Sequence, residues 1–325
     1  MPILTHSTYS APFWLPTGNA QTLGARIFCR IPQLPFTREK YELEDGDFLL
    51  LDWLFASGSA TSPANRVVIL SHGLEGDSTR SYMRAMAMAL IARGWDVLSR
   101  NFRGCGGEMN RLPLMYHSGQ VEDLATVVRS AASKGYRKIA LVGFSMGGNQ
   151  VLRYLAQQRE HLPSEACRAA AVSVPCDLAA CSMLLAQPRN RIYMTYFLRT
   201  LRRKMREKHA MHPGRFDISG LDSMATFKEF DDAFTAPLHG FASAKDYWEK
   251  ASCLPHLASI ATPTLLINAK NDPFLSESCF PIDVAGGSSF LHLAMPGQGG
   301  HVGFPTMWGK TVGWLENTVG DFITA

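Results

Sequence analysis

Short, wholly apolar runs alternate along the chain with stretches whose apolar residues recur every three or four positions. Val67–Leu70 is apolar throughout, the mark of a strand buried on both faces. Met83, Met86, Ala87, Leu90 and Ile91 then share one helical face, and Gly94 supplies a stop. Trp95–Leu98 predicts the next strand, and Val121, Leu124, Val128 and Ala131 a helix ending near Gly135. Ile139–Val142 and Ala169–Val174 predict two more strands. After a long interruption, Thr264–Ile267 and Phe290–Ala294 resume the pattern. Trp308, Val312, Leu315, Val319 and Phe322 stripe a terminal helix, weakened by Gly309, Gly313 and Gly320. Tyr41–Leu43 and Phe48–Phe55 predict an antiparallel pair at one edge. Strands alternating with helices imply the α/β class, a mostly parallel central sheet with helices on both faces. No internal repeat or low-complexity tract is evident.

The interruption, about 175–254, sits between two predicted strands. The simplest arrangement is a single domain over 1–325, with this segment inserted as a helical cap over the strand ends. Within it Met194, Phe197, Leu198, Leu201 and Met205 form an apolar stripe, crowded by Arg199, Arg202, Arg203, Lys204, Arg206 and Lys208. The plain reading of that basic run is a solvated helix face. The sharper one is a guide for anionic substrates or lipid headgroups.

Composition narrows the classes. A chain of 325 residues with 46% hydrophobic and 18% charged residues can bury a core without staples, and a net charge of +4 is too small to argue for nucleic acid. The seven cysteines are odd in number and form no C-x-x-C pair, which supports neither a disulfide framework nor a zinc site and suits a reducing compartment. Residues 1–7 lack the basic and apolar regions of a signal peptide. No apolar run approaches the ~18 residues of a membrane span. The expectation is a cytoplasmic protein without stable membrane insertion.

The candidate chemistry centres on Gly143-Phe144-Ser145-Met146-Gly147, which follows the Ile139–Val142 run and precedes a helix-compatible one. In that context G-x-S-x-G is a nucleophile elbow, a turn tight enough to need glycine on both sides of an exposed serine. A serine hydroxyl is a weak nucleophile and needs a neighbouring imidazole, held in one tautomer by a carboxylate. In such sheets the acid and then the histidine follow the serine in the chain. His301, in Gly297-Gln298-Gly299-Gly300-His301-Val302-Gly303, is the candidate base. His117 precedes the elbow and His239 lies in the inserted segment. Asp272, just past the Thr264–Ile267 strand, is the first candidate acid, with Asp283 and Asp177 as alternatives. A tetrahedral oxyanion needs two backbone donors. Met146 N–H, directly after the nucleophile, is one, and Leu74 N–H in Ser71-His72-Gly73-Leu74-Glu75-Gly76 is the other. His72 is expected to brace this loop rather than transfer protons. The loop's glycines also suit a phosphate cradle, but it has no Walker lysine and no G-x-G-x-x-G.

These pieces resemble the α/β-hydrolase superfamily, and within it the bacterial YheT-like hydrolases. The resemblance runs through nearly the whole chain. It is carried by Phe13-Trp14-Leu15 and Gln21-Thr22, the Ser71–Gly76 string, Asn101–Gly106, Tyr116–Gly119, the elbow, Phe230–Phe241, Asn268–Phe274 and Gly300–Phe304. It implies a Ser145–Asp272–His301 triad, no cofactor or metal, and hydrolysis of carboxylic or lipid esters, with a small-molecule ester as partner. Acyl transfer and thioester hydrolysis on the same triad are rival readings, and an idle ligand- or membrane-surface-binding protein is a rival of another class. One departure is visible: Thr17-Gly18-Asn19-Ala20 stands where the family carries Asn-Gly-His-Leu.

Overall fold

The computed structural model describes residues 3–4, 8–28, 31–306 and 311–325. Nine strands form one sheet: β1 (Ile3–Leu4), β2 (Thr37–Glu42), β3 (Phe48–Leu54), β4 (Arg66–Ser71), β5 (Asp96–Asn101), β6 (Lys138–Phe144), β7 (Ala166–Val172), β8 (Thr264–Ile267) and β9 (Leu291–Ala294). Their order is β1-β9-β8-β7-β6-β4-β5-β3-β2. All neighbours are parallel except β2 with β3 and β3 with β5. The helices are α1 (Gly18–Phe28), α2 (Ser81–Ile91), α3 (Glu122–Ser133), α4 (Met146–Gln157), α5 (Leu178–Leu185), α6 (Arg191–Met211), α7 (Phe227–Phe230), α8 (Ala236–Leu238), α9 (Ala244–Ala251), α10 (Ile282–Gly286) and α11 (Trp314–Thr324).

The period-two alternation of a strand divides the core. Val67 and Ile69 face one layer with residues of α3 and α4, and Val68 and Leu70 face the other with residues of α2 and α11. Both sides of β4 are therefore dry, which is why its Val67–Leu70 run is apolar without interruption. A third apolar cluster joins α5, α6, α7 and α9 through Leu178, Met194, Leu201, Phe230 and Trp248, and takes in Met115 and Phe274 from loops of the sheet. These helices lie between β7 and β8 in the chain, hence over the carboxyl ends of the parallel strands.

Several boundaries differ from the sequence reading. Trp95 is outside β5: Gly94, at φ +75°, closes the end of α2, and the Trp95 amide donates back to Leu90 O at 3.1 Å. β7 ends at Val172, since Ser173 adopts φ +53° and turns the chain. α11 begins at Trp314, where the Gly313 amide donates to Glu316 Oε2 at 2.8 Å, so Val312 precedes the helix. Trp308 lies outside the described residues.

The basic run on α6 is also not a uniform solvated face. Arg199, Arg203 and Arg206 are exposed, but Lys204 and Lys208 are buried. Lys204 Nζ pairs with Glu75 Oε1 at 2.8 Å, and Lys208 Nζ donates to Asn110 O at 2.7 Å. Burial pushes the Lys208 ammonium down to about 8.

Candidate active site

Ser145 sits between β6 and α4 at φ +53° and ψ −119°, in the left-handed half of backbone space where non-glycine residues are strained. Its glycine neighbours are required by close approach. A Cβ on Gly143 would lie 2.4 Å from Gly147 O, and one on Gly147 would lie 2.4 Å from the carbonyl oxygens of Ser71 and His72. A side chain on Gly143 would force β6 away from the first turn of α4, and one on Gly147 would force the elbow away from the end of β4.

His301 arrives on the loop after β9. Its Nε2 is 2.9 Å from Ser145 Oγ. Its Nδ1 is 2.9 Å and 3.1 Å from the two carboxylate oxygens of Asp272. The Asp272 side chain is fully buried, and its Oδ1 also accepts the Phe274 amide at 2.9 Å. The Phe274 ring stacks on the imidazole with centroids 4.0 Å apart. The two alternative acids are elsewhere: Asp177 caps α5 and accepts from Ser278 Oγ, and Asp283 is exposed on α10.

The loop after β4 approaches the serine from the other side. Its Gly73 amide donates to Tyr82 Oη and its Glu75 amide to Tyr116 Oη, each at 3.0 Å. The Leu74 amide lies between these two anchors. Met146 N–H stands at the first position of α4, where no intrahelical acceptor exists. Tyr116 Oη in turn donates to Glu75 Oε1 at 2.5 Å, and Lys204 closes the buried network.

His72 braces this loop. Its Nδ1 is 2.7 Å from Gly73 O, and its Nε2 accepts the Phe102 amide at 3.1 Å. The latter bond needs an unprotonated Nε2, and burial pushes the imidazole down to about 3. His117 and His239 stack with centroids 4.4 Å apart. Burial pushes them down to about 3 and about 4, so both are neutral near pH 7.

Sequence reasoning missed the support of the His301 loop by α1. Thr22 Oγ1 accepts the His301 amide at 2.8 Å and donates to Gly18 O at 2.7 Å. Gln21 Oε1 accepts from the Gly299 amide at 2.8 Å and from Asn271 Nδ2 at 2.9 Å, and Asn271 Oδ1 accepts the Gly300 amide at 3.0 Å. The only signal was the Gln21-Thr22 pair within the resembling strings. Also on α1, Asn19 Oδ1 accepts from Tyr193 Oη at 2.9 Å.

Ser145, Met146, Leu74 and His301 open on a cavity of about 120 Å³. Leu178, Leu185, Phe197, Leu201, Phe227 and Phe230 give it an apolar wall. Asp231, at the start of a π-helical turn (Asp231–Thr235), is a polar exception; it accepts from Thr235 Oγ1 at 2.6 Å and from Trp248 Nε1 at 2.8 Å. Among the described residues, no group of three or more His, Cys, Asp and Glu side chains is placed to hold a metal ion.

A serine on a strained strand-to-helix turn of a mostly parallel sheet, met by a histidine from the loop after the last strand, is the arrangement of an α/β hydrolase. Residues 66–278 match the family described as the alpha/beta hydrolase fold. YheT of Escherichia coli (strain K12), whose name marks it as a candidate esterase, is 36% identical over 94% of this chain and 89% of its own. The human phospholipase ABHD3 is 29% identical over 100% of this chain and 80% of its own. The esterase Pf2001 of Pyrococcus furiosus superposes with a TM-score of 0.57 at 17% identity, covering 98% of each chain, a likeness of fold. The chain belongs to the α/β-hydrolase family, in its YheT-like branch.

Proposed function

We propose that this protein is a serine hydrolase of carboxylic esters, acting through Ser145, His301 and Asp272. The observation that carries this reading is the unbroken chain of contacts from Asp272 through His301 to Ser145, with 2.9 Å at each link. Ser145 Oγ attacks the acyl carbon while His301 Nε2 takes its proton. Asp272 keeps the Nδ1–H tautomer and stabilises the imidazolium that forms. The Leu74 and Met146 amides donate to the oxyanion, where fixed dipoles need no reorganisation as charge develops. His301 then returns the proton to the leaving alkoxide, and a water activated by the same imidazole clears the acyl-enzyme.

The helices between β7 and β8 act as a cap, and their apolar wall receives the acyl chain. A cavity of about 120 Å³ is close to the ~150 Å³ that admits a benzene ring, which favours short to medium acyl groups. The esterase and phospholipase names of the relatives support an ester substrate. The described cysteines are free, which fits a cytoplasmic setting, and no helix among the described residues is long and apolar enough to cross a membrane.

The test is hydrolysis of short-chain p-nitrophenyl esters by wild type and Ser145→Ala. The variant should lose on the order of 10³-fold or more in kcat, since the covalent route vanishes. An unchanged rate in a folded Ser145→Ala protein would remove the mechanism. Product analysis with added alcohol or an acyl thioester distinguishes hydrolysis from acyl transfer and thioester cleavage.

A further inference from the structure

Residues 8–38 and residues 178–206 contain no carboxylate, as is also true of residues 124–159 and 284–315. The first includes α1, and the second includes α5 and most of α6. They meet in the fold. Tyr193 of α6 donates to Asn19 of α1, and the Arg26 guanidinium lies 4.9 Å from the centre of the Tyr196 ring.

Ten large apolar side chains stand exposed among the described residues, and six of them lie in these two stretches: Phe13, Leu23, Ile27, Phe28, Met183 and Ile192. Phe13 is 88% exposed, Ile27 66% and Ile192 62%. Scattered exposed hydrophobes are ordinary, whereas a concentration on two adjoining elements marks an interaction surface. Helical spacing brings them together. Leu23 and Ile27 are one turn apart on α1, flanking Arg26, and Ile192 is one turn before Tyr196 on α6. The Arg26–Tyr196 contact therefore joins the two apolar faces.

The exposed charged residues of these two stretches include Arg26, Arg189, Arg191, Arg199 and Arg203, all at the surface. This decides between occupants. A second copy of the chain, docked about a two-fold axis, would set these arginines against one another. An anionic bilayer surface offers phosphates to the guanidinium groups and an acyl boundary to the apolar tips. The position suits such a surface, since α5 and α6 line the cavity above Ser145.

We propose that α1 and the α5–α6 turn dock the protein reversibly on an anionic phospholipid surface, with Ile27 and Ile192 entering the headgroup boundary and the arginines pairing with headgroup phosphates. Docking does not depend on the chemistry at Ser145, so it stands or falls separately from the proposed hydrolysis.

The full chain is co-sedimented with vesicles of equal parts phosphatidylcholine and phosphatidylglycerol, and with vesicles of phosphatidylcholine alone. The protein should bind the mixed vesicles, bind the neutral ones far less, and be released by added salt, which screens surface charge. Arg189→Gln with Arg191→Gln should weaken binding on the order of 30-fold, each cation contributing about fivefold near such a surface. Ile27→Glu with Ile192→Glu should abolish it. Thermal melting of each variant confirms that these exposed positions leave the fold intact. Equal binding to both vesicle types, no binding to either, or variants that bind like wild type would overturn the proposal. So would a dimer, detected by sedimentation velocity, that Ile27→Glu with Ile192→Glu dissolves.

Discussion

Five non-glycine residues have positive φ among those described: Glu75, Ser145, Ser173, Val302 and Phe304. Glu75, Ser145 and Ser173 lie just past the carboxyl ends of β4, β6 and β7, and Val302 and Phe304 lie in the loop after β9 that carries His301. Each such conformation costs on the order of 1–3 kcal/mol and persists only where its surroundings impose it. The impositions are visible, as where the Val302 amide donates to Ser173 Oγ at 2.9 Å, and the apolar layers on both faces of the sheet offset the strain. The buried histidines act in the opposite direction on acidification. His72, His117 and His239 have folded-state pKa values depressed to about 3, 3 and 4 by burial, against about 6.5 in an unfolded chain. They gain protons on unfolding, so their contribution to stability is complete above about pH 6.5 and is lost as pH falls through their folded values. Between about pH 6.5 and those folded values, each histidine should remove about 1.4 kcal/mol of stability per pH unit. Urea melts at pH 7 and pH 5.5 check this. The midpoint should fall at the lower pH, and His72→Gln, if folded, should lessen the pH dependence.

At the scale of elements, α1 and α6 set the geometry of a site to which neither contributes a reacting group. Thr22 of α1 holds the His301 amide, 279 residues further along the chain. Thr22→Val keeps the shape but leaves that amide without its acceptor, freeing the loop to shift. A small displacement of the base is expensive when reacting atoms must be near 3 Å apart. Thr22→Val should lower kcat about tenfold with KM little changed, and Thr22→Ser should restore it. Equal losses in both variants would reduce Thr22 to a packing role. The strings around Ser145, Asp272 and His301 were legible because each is a local pattern at a strand end. The role of Gln21-Thr22 was not, because its partners are distant in sequence and no periodicity points to them. The inward lysines of α6 were half legible. Met194, Leu198, Leu201 and Met205 are spaced four, three and four, and Lys208 continues the series on the buried face. Reading by charge alone hid this, as the compensating Glu75 lies on another loop.

For the whole molecule, the sequence carried the sheet and its order of strands and helices because Val67–Leu70, Ile139–Val142 and Thr264–Ile267 are buried on both faces and bear no polar interruption. Strand ends were less legible, since a backbone turn such as that at Ser173 leaves no mark in the hydrophobic pattern. The central claim is that this sheet presents Ser145 as a nucleophile activated by His301. The most direct measurement is mass spectrometry of the protein after exposure to a fluorophosphonate, which phosphonylates activated serines, with peptide mapping of the adduct. The account predicts a single adduct, on Ser145, absent from Ser145→Ala and formed far more slowly in His301→Ala. A folded wild-type protein that takes up no adduct, or takes it up at another residue, would contradict it.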